Sequence, residues 1–345
     1  MQRFLKIFAI FFAHVITNSS FGATLCETNT ESPIHRDAYV LVGGIQQWVT
    51  IHGEKCSNPV VLFLHGGPGL VDSPAARSQY QDWEGTFTVV QWDQRGAGLT
   101  YGANETPIKL TLEQMVSDGI KLSEYLIQEL EQQKIILTGT SWGAALGMQM
   151  VSRRPDLYHA YVGRSVGVNI EKSLNASLPR LKTLAKSKDD QQSLDQLSSL
   201  NSNWRAIENV LKLQQIMERY KAPKAASDAN YTIEPQYNNR EYFATFQKAA
   251  QFSQSQTINA TGGLAFEVDL YKLDFNFELP IFFIQGELDL MTMPEVTRAY
   301  FDLVKAPIKD YILVPGRGHD SAFIEDNYKV LTEKVLPLVR AQGNQ

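Results

Sequence analysis

A serine, a histidine and an aspartate stand in this chain where each could serve the other two. Ser141 lies in "LTGTSWGAALGMQM", with Gly139 and Gly143 two residues to either side. This G-x-S-x-G follows an apolar run and opens a helical one. In that context the serine sits on a strained strand-to-helix turn and its hydroxyl projects above a sheet edge. A hydroxyl becomes a nucleophile only beside a base, and the base needs an orienting partner. His319, in "LVPGRGHDS", and Asp289, in "FFIQGELDLMTMPE", each come just past a run that reads as a strand. Alone, His319 would read as a surface-loop histidine and Asp289 as a helix N-cap. Beside the serine turn they read as base and orienter. Glu287 and Asp320 are rival carboxylates, set aside because Glu287 is nearer the strand end and Asp320 adjoins the histidine itself. The chain order Ser…Asp…His is that of the α/β-hydrolase fold and differs from the orders of the chymotrypsin and subtilisin types.

Acyl transfer also needs backbone N–H donors aimed at a developing oxyanion. His65-Gly66-Gly67-Pro68-Gly69 follows the apolar run "VVLFL" and can bring a bare amide close to a substrate carbonyl. The Gly67 amide is the expected first donor and that of Trp142, next to the serine, the second. His65 then reads as a loop brace, and the Gly67–Pro68 bond as a candidate for the cis form. No cofactor or metal is implied. The 6 histidines and 2 cysteines show no metal-ligand spacing, and Gly96, Gly98 and Gly102 are wrongly spaced for a dinucleotide fingerprint. A formal charge of −5 without a basic stripe argues against nucleic acid as a partner. A small molecule or short peptide is the expected substrate.

The elements that must hold these residues follow from periodicity. "PVVLFL", "FTVVQW" and "KIILTG" are continuously apolar, as strands covered on both faces are. Between them, residues 110–131 carry apolar side chains at helical spacing, with Thr111 and Gln114 placed for a capping box. "AYVLV" and "QQWVTI" flank Gly43 and Gly44 as a hairpin would. Strands alternating with helices imply right-handed crossovers in a mostly parallel central sheet with helices on both faces. From about 170 to 276 the strand grammar stops, and Trp204, Val210, Leu213, Ile216 and Met217 fall at helical spacing. It resumes with "PIFFIQG" and "DYILVPG", and a last helix is expected over residues 324–340. The reading is an α/β-hydrolase core over 33–169 and 277–345, with a helical cap inserted over 170–276.

Residues 1–23 read as a secretory signal peptide: Arg3 and Lys6, an apolar stretch over 4–16, then small residues at Gly22 and Ala23. The stretch is short for a membrane span, so no stable anchor is expected after cleavage. Leu25 before Cys26 is the wrong residue for lipoprotein processing. A secreted or periplasmic location would favour a disulfide between Cys26 and Cys56.

"LHGGPG", "QWDQRGAGLT" and "GTSWGAALG", with "GELD" and "GRGHD" beyond the polar insertion, resemble the prolyl aminopeptidase (proline iminopeptidase) family of α/β-hydrolases. The resemblance runs from about Ala38 and implies Ser141 as nucleophile, His319 as base and Asp289 as orienter, with Gly67 and Trp142 as the oxyanion hole. It also implies a helical cap over the site and a structural loop in "WDQRGAG", with Asp93 paired to Arg95. The implied activity is release of an N-terminal residue, of the proline type, from short peptides. A carboxylester or lactone hydrolase would use the same machinery, and a ligand-binding receptor would keep only the pocket. An aminopeptidase must meet the desolvated α-ammonium with a carboxylate. Of the cap acids, Glu267 is the first choice to face Ser141, with Glu208 the second.

Overall fold

The computed structural model describes Cys26 and residues 31–104, 110–224, 231–259 and 262–343. The signal-peptide reading of 1–23 lies outside the described residues.

Eight strands form one sheet. They are β1 (Ile34–Val42), β2 (Ile45–Gly53), β3 (Val60–Leu64), β4 (Thr88–Trp92), β5 (Ile135–Thr140), β6 (Tyr158–Arg164), β7 (Ile281–Gly286) and β8 (Lys309–Val314). Their order is β1-β2-β4-β3-β5-β6-β7-β8. β1 and β2 pair antiparallel across the Gly43–Gly44 turn, β2 pairs antiparallel with β4, and every later pairing is parallel. The chain runs outward from β3 to β4 and then crosses back to β5. This topological switch is where parallel sheets open a crevice at their carboxyl ends.

The apolar runs are explained by burial on both faces. Val60, Leu62 and Leu64 of β3 enter one cluster, with Leu122 and Leu126 of helix α3 (Leu112–Glu129) and Leu146 and Met150 of α4 (Trp142–Arg153). Val61 and Phe63 enter the other, with Tyr80, Trp83, Val330 and Leu331. Fully burying each such side chain contributes about 1.5–3 kcal/mol. The short helices α1 (Ala76–Tyr80) and α2 (Gly98–Gly102) follow β3 and β4.

Two local expectations need correction. Thr111 accepts from the Gln114 N–H (3.2 Å), but the Gln114 side chain turns to Asp118 (2.7 Å), so only half of the capping box forms. Arg95 pairs with Asp118 of α3 (2.6 Å) and not with Asp93. Asp93 instead accepts from Ser73 Oγ (2.6 Å) and the Leu99 N–H (2.8 Å), and burial without a cation pushes it up to about 7.

Among the described residues, five α-helices lie between β6 and β7: α5 (Ile170–Ser187), α6 (Gln191–Ser199), α7 (Ile207–Tyr220), α8 (Arg240–Thr257) and α9 (Leu264–Glu267). Leu174, Leu181, Leu197, Trp204, Val210, Leu213, Ile216 and Met217 pack into their own apolar cluster, which also takes in Leu290 from the sheet side. α8 lies on the loop after β4, with the Phe252 and Tyr101 rings 5.3 Å apart and Ser253 Oγ donating to the Gly96 carbonyl (2.9 Å). After β7 come α10 (Pro294–Leu303), α11 (Ile324–Val330), a π turn at Leu331–Val335 and α12 (Leu336–Gly343), so the last helix is not one regular rod. Cys26 and Cys56 are joined in a disulfide that ties the start of the described chain to the loop before β3.

Candidate active site

β3 and β5 are parallel neighbours, with Leu64 opposite Gly139, so the loops that leave them emerge side by side. Ser141 N–H donates to the Arg164 carbonyl at the end of β6 (2.9 Å), and the Ser141 carbonyl accepts from Ala145 N–H (3.0 Å) as α4 begins. Between these anchors Ser141 is held at φ 54°, ψ −112°, a strained backbone of the sort found where a side chain must be presented. The flanking glycines are steric necessities. A Cβ on Gly139 would lie 2.5 Å from the Gly143 carbonyl oxygen, and one on Gly143 only 2.1 Å from that of Leu64.

His319 and Asp289 converge on this turn from the loops after β8 and β7. His319 Nε2 is 3.1 Å from Ser141 Oγ, and its Nδ1 is 3.0 Å and 3.2 Å from the two Asp289 oxygens. With Nδ1–H donating to the carboxylate, Nε2 is bare and faces the serine hydroxyl. Burial alone would disfavour an imidazolium, but the Asp289 charge and hydrogen bond outweigh it and His319 is raised above its ordinary value. Asp289 is almost completely buried, which would raise a carboxyl. Its bonds from His319 and Thr292 prevail and hold it below the usual range. The rival carboxylates are engaged elsewhere: Glu287 accepts from Gly316 N–H (3.1 Å) and Asp320 pairs with Lys221 of the cap (3.0 Å).

The other half of the site is the loop after β3. Gly67 has φ +113° and the Gly67–Pro68 bond is cis. The turn closes with Leu70 N–H donating to the Gly66 carbonyl (3.2 Å). Gly66 approaches the elbow itself, since a Cβ there would come 3.7 Å from Ser141 Cβ. Trp142 begins α4, where the first amides of a helix have no intrahelical acceptor. The two loops are braced by Gln94, a residue that the reading of the sequence passed over. Its N–H donates to His65 Nε2 (3.1 Å), its Nε2 to the His65 carbonyl (3.0 Å), and its Oε1 accepts from Trp142 Nε1 (3.0 Å). Gln285 and Thr292, which hold Asp289, were also missed.

The expectation for Glu267 must be revised. Its carboxylate is exposed and accepts from Leu112 N–H (3.0 Å) at the start of α3, where unpaired N–H groups and the helix dipole favour an anion. Glu208 is exposed in the first turn of α7. Neither is among the hydrogen-bonding partners of Ser141 or His319. A recess of about 420 Å3 bordered by His35, Arg77 and Glu84 includes none of the three converging residues. Among the described residues no group of His, Cys, Asp and Glu side chains could hold a metal ion, and no helix is long and apolar enough to cross a membrane.

A serine hydroxyl aligned with a half-buried imidazole and its buried carboxylate partner is the equipment of acyl transfer, and comparison with known proteins points the same way. The model of the serine aminopeptidase S33 family matches residues 57–326. A probable aminopeptidase of Bacillus subtilis is 27% identical over 291 residues, covering 81% of this chain and 88% of that protein. A proline iminopeptidase of Neisseria gonorrhoeae is 30% identical over 139 residues, which cover 39% of this chain and 41% of that protein. Among solved structures, a proline iminopeptidase-related protein of Thermus thermophilus superposes with a TM-score of 0.56 at 21% identity, over 88% of this chain and 99% of that one. An epoxide hydrolase of Vigna radiata gives 0.52 at 21% identity, over 90% and 98%. At these identities the structural likeness speaks for the fold alone.

Proposed function

The chain belongs to the serine aminopeptidase S33 family, and on that premise we propose that it releases an N-terminal residue, of the proline type, from short peptides through an acyl-enzyme. The observation that carries the chemistry is the continuous chain of hydrogen bonds from Ser141 Oγ through His319 to Asp289. In the proposed sequence His319 Nε2 takes the hydroxyl proton as Ser141 attacks the scissile carbonyl, and the amides of Gly67 and Trp142 receive the oxyanion. His319 then protonates the leaving amine, and water enters from the same side to resolve the ester. Asp289 stays anionic throughout and steadies the imidazolium.

Export is part of the same proposal. The positive and apolar start of the chain supports it, as does the disulfide between Cys26 and Cys56, a bond that persists in oxidising compartments.

A second reading, an ester or lactone hydrolase, draws support from the engagement of Glu267 at α3, which leaves the ammonium without its expected partner. One panel separates the two: prolyl and alanyl arylamides with free amines, their N-acetyl forms, and p-nitrophenyl esters. The aminopeptidase cleaves the free amides and rejects the blocked ones. Equal rates on both would rule out recognition of the amine, and turnover of esters alone would favour the second reading.

A further inference from the structure

We propose that Thr292 and the Gln285 that clamps it are positioning residues: Thr292 fixes the tautomer of His319, and Gln285 sets how readily its imidazolium gives up a proton. The inference rests on the triad reading above and concerns two residues outside it.

The Asp289 carboxylate has four donors besides His319. Met291 N–H and Thr292 N–H reach Oδ1 (both 2.8 Å), while Thr292 Oγ1 (2.6 Å) and Gln285 Nε2 (3.0 Å) reach Oδ2. The Gln285 amide spends its other N–H on the Thr292 carbonyl (2.9 Å), so it ties both ends of the 289–292 turn to the end of β7. Its Oε1 is buried with no partner among the described residues, and the side chain is held there by its donors. Reversing the amide would set that oxygen against two acceptors.

Thr292 has one hydroxyl proton and the carboxylate takes it. Its oxygen then stands 3.3 Å from His319 Nδ1 with only lone pairs to offer. Nδ1 thus faces three acceptors: Asp289 Oδ1, Asp289 Oδ2 and Thr292 Oγ1. That arrangement keeps the proton on Nδ1 and leaves Nε2 free for Ser141, the tautomer that catalysis requires.

The electrostatic consequence has a definite sign for Gln285. Its N–H places a positive end against the carboxylate and weakens the negative potential felt at the imidazole, whereas the Thr292 hydroxyl gives its proton to Asp289 and its lone pairs to His319, two effects that oppose. Deleting the Gln285 dipole leaves more uncompensated charge on Asp289. The imidazolium is then better stabilised, and neutral His319 is reached only at higher pH. The other ionisable groups around the pair stay as they were. Asp320, beside His319, is paired with Lys221 from the cap. Tyr311 of β8 is bound through its hydroxyl to Thr297 and the Pro294 carbonyl, and burial pushes it up to about 12.

The test is the pH dependence of the rate at which a fluorophosphonate labels Ser141, followed by mass spectrometry on the full chain. Thr292→Val keeps the shape and removes the hydroxyl. Its plateau rate should fall about tenfold, and Thr292→Ser restores it. Gln285→Met removes the Nε2 donor to Asp289, so its acid limb should rise by about half a pH unit, and it covers the case in which Thr292→Val does not fold. A merely structural role would lower the melting temperature and leave plateau and limb in place; an unmoved limb in folded Gln285→Met, or an unchanged plateau in folded Thr292→Val, overturns the inference. Failure of the wild-type protein to be labelled at Ser141 would instead sink the triad reading, and this inference with it.

Discussion

Two loops at the carboxyl end of the sheet each carry a histidine, and their chemistry is opposite. After β3, His65 is 1% exposed, with Nδ1–H donating to the Gly66 carbonyl (2.8 Å) and Nε2 accepting from Gln94 N–H. Both partners are neutral backbone groups. Burial pushes His65 down to about 4, so it remains uncharged at any ordinary working pH. After β8, the His319 side chain is 25% exposed and holds a carboxylate at one nitrogen and a hydroxyl at the other. Burial pulls His319 the same way, yet the Asp289 charge reverses the outcome. Position after a strand is common to both. The charge of the partner decides which ring is scaffold and which can exchange a proton.

The contrast is tested most severely at the serine that His319 serves. Ser141→Ala should lower kcat roughly 10⁴-fold or more on the best substrate. The melting temperature should hardly change, because the turn is kept by backbone bonds to Arg164 and Ala145. More than a few per cent residual activity in a clean preparation would show that the nucleophile lies elsewhere. In the intact protein, activity should fall as pH drops through a value above the ordinary imidazole range, since protonated His319 can accept nothing from the hydroxyl.

The loop after β3 is not only scaffold if Gly67 lends its amide, and that is the next largest effect. A Cβ on Gly67 would lie 2.6 Å from Gly69 N and 2.9 Å from Leu70 N, so Gly67→Ala must displace the turn. We expect kcat to fall by about 10²-fold with KM little changed. An unchanged kcat would confine the loop to bracing and move the oxyanion donor to another amide.

What the sequence disclosed, and what it withheld, divides along the same physical line. Strands β3, β4, β5 and β7 were legible because burial on both faces leaves an unbroken apolar run, and the elbow because its glycines have no alternative. His319 and Asp289 were legible through their place after such runs. Tertiary partners were not. Arg95 has its acid 23 residues away on α3 rather than two residues back, a choice made by how α3 packs. Glu267 was expected at the substrate and instead caps a helix that begins 155 residues earlier in the chain. Gln94, Gln285 and Thr292 looked like ordinary polar residues, since nothing local shows that their hydrogen bonds close around the site. In the cap, helical spacing marked the side chains that pack together, while the direction each carboxylate faces depends on the docking of whole helices.

The smallest predicted effect is also the sharpest discriminator between the two rings, because it concerns stability and leaves catalysis nearly alone. His65→Leu strips the acceptor from Gln94 N–H and one of two donors from the Gly66 carbonyl, which keeps Leu70 N–H. Leaving the Gln94 N–H unsatisfied costs about 1–3 kcal/mol. The penalty should depend on pH in a set direction. The folded value of about 4 lies below the unfolded 6.5, so between them the unfolded chain binds a proton that the folded chain refuses. The advantage of wild type over His65→Leu is therefore full above pH 6.5 and shrinks as pH falls toward 4. Asp93, raised by burial to about 7, titrates with the opposite sign but in both proteins alike, so it cancels from the difference. Urea unfolding of the pair at several pH values reads that difference, and the acid limb of activity, owned by His319, should stay in place. A limb that moved with His65→Leu would mean that the ring after β3 shares the proton chemistry, and the two loops would no longer be opposites.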